Sequence, residues 1–175
     1  MASRVFLPAA FLLATVFMVA AVAASAPNLP AAQQRSAAPA NPRLINNNLP
    51  LLPPGIERGA RPISTIRVAY QFAAEHPEVM KFVPCFCGCE RGGHKDNHDC
   101  FVSSRSAAGA VTGWEPHGIV CEICLDVATQ AWQMNNSGAS VSAIREAIEK
   151  KYASRTAEGL HTPTPLPKKG GKSHH

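Results

Sequence analysis

The chain has 175 residues, a formal charge of +5 and 46% hydrophobic residues, with 15 Pro, 12 Gly and six Cys. That length allows one domain with flanking segments, and 17% charged residues exclude a polyelectrolyte chain. Aromatics at 6% are too few for a base-stacking surface, so nucleic acid is not an expected partner. A large enzyme core and a membrane channel are excluded on the same composition.

Arg4 precedes an apolar run from Val5 to Val22, and two A-x-A patterns follow, Ala21-Val22-Ala23 and Ala24-Ser25-Ala26. Positive end, apolar stretch and small-residue site are the order of a secretory signal peptide, expected over 1–23. The chain is therefore expected outside the cytoplasm, periplasmic or secreted. Contact with a membrane is expected only through this segment, were it left uncleaved. No Cys lies before residue 85 to carry a lipid anchor.

Residues 24–63 are rich in Pro and Ala, which prevents regular structure, and are expected as an extended linker. Leu49, Leu51, Leu52 and Ile56 are its candidates for docking on the folded part. The folded domain is expected over 64–160. Ser64 or Thr65 can cap a first helix whose apolar face is Ile66, Val68, Ala69, Phe72 and Ala73. Pro77 closes that helix. Residues 84–118 show no sustained period and read as a long Cys-rich loop that needs something to hold it. A helical pattern returns from Ile119 with Val120, Ile123, Cys124, Val127, Ala131 and Met134, and stops at Asn135-Asn136-Ser137-Gly138. Ser140 caps a last helix with Val141, Ile144, Ile148 and Tyr152 on one stripe, closed by Gly159. The tail, 161–175, is basic and expected to be disordered. The fold class expected is mainly α: a small domain of three to four helices with a long Cys-rich loop, flanked by disordered segments.

All six Cys fall between Cys85 and Cys124. Cys85, Cys87 and Cys89 alternate, so an extended chain presents their sulfurs on one side, and Gly88 lets the backbone turn so that they converge. Cys121 and Cys124 lie three apart at a helix start, on one face and at the positive end of the dipole. Cys100 stands alone. Three disulfides are the alternative reading, which makes the chain a stapled secreted interaction module without metal, as an oxidising compartment permits. They would stack three bridges within five residues, where loop closure gains little from the second and third. The preferred reading is a polythiolate metal site formed by Cys85, Cys87, Cys89, Cys100, Cys121 and Cys124. Soft thiolates select Cu(I), with zinc the second candidate. His94, His98 and His117 flank the cysteines and are candidate supplementary ligands; Met134 is more a core residue than a ligand. Arg91 and Lys95 could offset thiolate charge. A thiol oxidoreductase built on Cys121-Glu122-Ile123-Cys124 is a third reading, without the surrounding βαβ pattern that would support it. No catalytic triad or carboxylate pair stands out, and no enzyme is expected.

Pro84-Cys85-Phe86-Cys87-Gly88-Cys89, Gly93-His94-Lys95, Asn97 and Asp99-Cys100-Phe101-Val102 together resemble the family of bacterial exported proteins named for a PCYCGC motif. Trp114, His117-Gly118, Cys121-x-x-Cys124-Leu125-Asp126, Met134, Gly138-x-Ser140, Ile144-Arg145 and Tyr152 continue the resemblance across about residues 65–155. Phe86 stands where the motif has Tyr, which removes a hydroxyl and no sulfur. The resemblance implies an exported protein and brings no activity. A buffering or sequestering role for metal rests on the sulfur chemistry.

Overall fold

The computed structural model describes residues 41–155 and 161–167, within the compact unit Pro39–His175. The expected signal peptide, the start of the linker and Gly159 lie outside the described residues. Among the described residues, five α-helices and one two-stranded sheet form a mainly α fold. None of these helices is long and apolar enough to cross a membrane.

Helix α1 spans Ile63–Glu75. It is entered from Pro62, whose fixed φ leads into the first turn, so Ser64 and Thr65 lie inside the helix rather than capping it. Ile66, Ala69, Tyr70 and Ala73 recur at helical spacing and are fully buried. Tyr70 takes the place expected of Val68, which is half-buried. Its ring meets Phe101 and Trp114 edge to face at 5.1 and 5.4 Å, and its hydroxyl donates to the Glu115 carbonyl at 2.6 Å. Pro77–Met80 form the single-turn α2 beyond the Pro break.

The stretch expected as one long loop is partly regular. Strands β1, Val102–Arg105, and β2, Val111–Trp114, pair antiparallel as a short hairpin. Four residues per strand are too few for an alternation to stand out in the sequence. The helical run expected from Ile119 is likewise broken. Cys121 has extended backbone (φ −102°, ψ 106°), which separates α3, His117–Val120, from α4, Glu122–Asn136. Val120 therefore leaves the apolar stripe and is 66% exposed. Leu125 and Ala128 join Cys124, Val127 and Ala131 in the core. Helix α5, Val141–Tyr152, is capped by Ser140, whose hydroxyl accepts from the Ala143 N–H at 3.2 Å. α4 packs against both α1 and α5.

Both flanks differ from a free linker and a free tail over the residues described. Residues 41–62 carry one short 3-10 turn at Ile56–Arg58, as their Pro content requires, yet they pack on the domain. Leu52 and Ile56 are fully buried, while Leu51 is 44% exposed. The Leu52 N–H donates to the Arg43 carbonyl at 2.9 Å and the Ala60 N–H to that of Ile119, also at 2.9 Å. At the other end, residues 161–167 have no regular structure but Thr162 is fully buried. Lack of periodicity excludes helix and strand; it does not exclude burial.

Candidate metal centre

Pro84 follows the turn after α2, and Cys85, Phe86 and Cys87 lie in irregular backbone beyond it. Phe86 points away from the sulfurs and stacks on Tyr152, with ring centroids 6.2 Å apart and planes at 22°. Gly88 then takes φ 84°, a conformation that a side chain disfavours, and the chain coils into a 3-10 turn at Cys89–Gly92. This reversal gathers Cys85, Cys87 and Cys89 into one set of sulfurs, all within 4.8 Å of one another.

Two further segments close on that set. Cys100 ends a 3-10 turn, His98–Cys100, and its sulfur lies 3.6 Å from that of Cys89. Cys121 caps α4 with its own sulfur, which accepts the Cys124 N–H at 3.5 Å. Cys124, one turn on, lies 3.4 Å from the Cys85 sulfur and 3.5 Å from that of Cys87. Gly118 makes this approach possible. A Cβ there would stand 2.6 Å from Phe101 Cδ1 and 2.7 Å from the Cys100 carbonyl oxygen.

All six sequence-predicted cysteines thus meet in one place, and all six are free thiols. Disulfide stapling, the alternative reading, is not what the structure contains. Each of several sulfurs touches more than one other at 3.4–3.6 Å, rather than one partner at a bond length of about 2.05 Å. Sulfurs around one tetrahedral zinc, at a Zn–S length of about 2.3 Å, stand about 3.8 Å apart. The spacing here is close to that of ligands sharing an ion.

Of the three flanking histidines, two join the sulfurs. His117 Nε2 is 3.5 Å from the Cys87 sulfur and His94 Nδ1 is 3.4 Å from that of Cys100. Their rings meet edge to face, with centroids 5.7 Å apart and planes at 84°. His98 turns elsewhere: Arg105 approaches its Nε2 at 3.2 Å, and Asp99 lies 3.6 Å from its Nδ1. Met134 packs partly buried against the core. Arg91 and Lys95 are exposed.

The thiols share their protons unequally. Hydrogen bonding from Cys100 and then from other thiols pulls Cys85 down to about 4, Cys89 down to about 3 and Cys87 lower still. Cys124 is pushed far up by its bonds to Cys100 and to its other sulfur neighbours. Cys124 pulls Cys100 and Cys121 down, but the remaining thiols and burial outweigh it. Cys100 ends well above its ordinary value, and Cys121 at about 11. Burial lowers His117, yet its bond to Cys87 and the nearby thiolate charge leave it raised overall.

One contributor escaped the sequence reading. Thr162 holds both backbone groups of the buried Cys85. Its hydroxyl accepts the Cys85 N–H at 2.8 Å, and its own N–H donates to the Cys85 carbonyl at 3.0 Å. Arg145 Nη1 fixes the same strap from α5, donating to the carbonyls of Phe82, Thr164 and Pro165 at 3.2, 3.3 and 2.6 Å. Its Thr-Pro-Thr-Pro sequence signals extended backbone and nothing about where it docks.

No curated protein and no solved structure matches the chain. A family model described as a protein of unknown function with PCYCGC motif matches residues 47–167, a span that includes all six cysteines, most of the packed N-terminal flank and the Thr162 strap. The chain belongs to this PCYCGC-motif family.

Proposed function

We propose that this protein holds soft metal ions, Cu(I) foremost, in a centre of thiolates and imidazoles, and that it buffers or sequesters them outside the cytoplasm without catalysing a reaction. The observation that carries this reading is the meeting of six free thiols and two imidazoles, with sulfur separations of 3.4–3.6 Å and no covalent bridge. Thiolates gathered at this density repel one another unless protons or cations offset them. Thiolate donors prefer soft ions, Cu(I) among them.

The compartment rests on the sequence of residues 1–23. An oxidising compartment would convert six adjacent thiols to disulfides, so bound metal is what keeps them reduced there. Redox catalysis through Cys121 and Cys124 fits less well. Catalysis of that kind needs a depressed, accessible thiol, whereas Cys121 is pushed up to about 11 and Cys124 is fully buried.

Zinc is the second reading, favoured by one observation: Cys87, Cys121, Cys124 and His117 form a set of three sulfurs and one nitrogen, a composition that structural zinc uses. Both readings are tested by anaerobic reconstitution of the reduced protein with Cu(I) or Zn(II), desalting and elemental analysis. Retention of at least one copper per chain against a large excess of zinc is expected. Retention of zinc alone transfers the assignment to zinc, and less than one equivalent of either metal overturns both readings.

A further inference from the structure

The donor groups overlap in a way that specifies how many ions they hold. Among the described residues, four donor sets contain cysteine, and within each the donor atoms lie within 4.8 Å of one another. The first is Cys87, His117, Cys121 and Cys124; the second is Cys85, Cys87 and Cys89; the third is Cys85, Cys100 and Cys124; the fourth is Cys89, His94 and Cys100. Cys87 is common to the first and second sets, Cys124 to the first and third, and Cys85 to the second and third. Cys89 is common to the second and fourth, and Cys100 to the third and fourth.

Four sites have six pairings, which are the edges of a tetrahedron. Five of those edges are each spanned by one shared thiol. The sixth, between the first and fourth sets, has none. There Cys121, His117 and His94 each serve a single set, and the two imidazole rings meet edge to face with centroids 5.7 Å apart. Sulfurs bridging five of the six edges are the connectivity of a cage of four metal ions joined through thiolates and open at one edge.

Resting on the soft-metal reading above, we infer that the centre takes four univalent soft ions as one thiolate-bridged cage. Cys85, Cys87, Cys89, Cys100 and Cys124 bridge, and Cys121, His117 and His94 are terminal ligands at the open edge. Three of the four sets offer three donors, which suits a trigonal univalent ion and falls short of the four that zinc takes. Four univalent cations offset four of the six thiolate charges, where one divalent ion offsets two. The open edge is also the accessible one: its His94, His117 and Cys121 are partly exposed, as is the bridging Cys87, and the other four sulfurs are buried. Ions therefore enter and leave between the two histidines.

The test is anaerobic titration of the reduced full chain with Cu(I) against a competing chelator, read by native mass spectrometry. The cage predicts metal-free and four-copper species side by side, without accumulation of one-, two- or three-copper forms. Saturation at one, two or three ions overturns the cage and leaves the soft-metal reading standing. Failure to retain copper at all overturns both. Cys121→Ser removes a terminal ligand and is expected to keep four ions, whereas Cys85→Ser removes a bridge and is expected to hold two. Equal capacity in the two variants overturns the bridging scheme. Should Cys85→Ser fail to fold, X-ray absorption of the loaded wild-type protein decides instead. A copper–copper scattering path supports the cage, and its absence overturns it.

Discussion

Gly118 sits where no side chain fits, and its surroundings show how single residues set the geometry of the centre. The atom in the way of a Cβ is partly backbone, the Cys100 carbonyl oxygen at 2.7 Å, so relief requires the chain itself to move. Gly118→Ala should cost about 1–3 kcal/mol in urea unfolding, and should speed copper loss to a chelator because α3 carries His117. Unchanged loss would separate α3 from the centre. The histidines divide in the same residue-specific way. His98→Ala should leave copper retention untouched, while His117→Ala should lower affinity, as measured by chelator competition. The reverse order would contradict the placement of these rings. Nothing in the sequence distinguishes the three, because each lies two to five residues from a cysteine and the turns between them decide which ring meets sulfur. The cysteines themselves were legible, since spacings of two and three residues determine local direction. Their convergence with Cys100 depends on the positive φ of Gly88 and on the close approach at Gly118, which no local pattern reveals.

Elements without periodicity supply much of the support. The strap from His161 to Pro167 hydrogen-bonds both backbone groups of Cys85 through Thr162 and is clamped by Arg145 of α5. A buried N–H left without its acceptor costs about 1–3 kcal/mol. Thr162→Val should therefore destabilise the protein by that amount and weaken copper retention, and Thr162→Ser should restore both. Equal behaviour of the Val and Ser variants would show that the hydroxyl is not what holds Cys85. On the N-terminal side, Arg61 ties the packed flank to the start of α4 through Glu122 and Asp126 at 2.7 and 2.8 Å. These are surface pairs, worth at most about 1 kcal/mol; the burial of Leu52 and Ile56 holds that flank more strongly. The helices were legible because α4 and α5 carry long apolar stripes with clear stops. The hairpin Val102–Trp114 and the break at Cys121 were not, since short strands and a one-residue kink leave the average pattern unchanged.

At the scale of the whole chain, the proposed metal binding would couple to folding. Ligand thiols must lose their protons, so affinity falls as pH falls. Cys85, Cys87 and Cys89 are pulled below the ordinary thiol value by their sulfur neighbours, whereas Cys100, Cys121 and Cys124 are pushed above it, so the second trio keeps its protons at pH 7. Metal loading at pH 7 should accordingly release protons from the second trio, measurable by calorimetry in buffers of different ionisation enthalpy, with no release contradicting the assignment. An ion that binds only the folded state stabilises it in proportion to the logarithm of its concentration over Kd, so the melting temperature should rise with copper and fall under chelation. The most direct test of the central claim is the intact native mass of the protein isolated anaerobically from its own cells without added metal. The account predicts a mass carrying copper, and six alkylatable thiols once the metal is removed. A metal-free protein whose six cysteines are joined in three disulfides would contradict it.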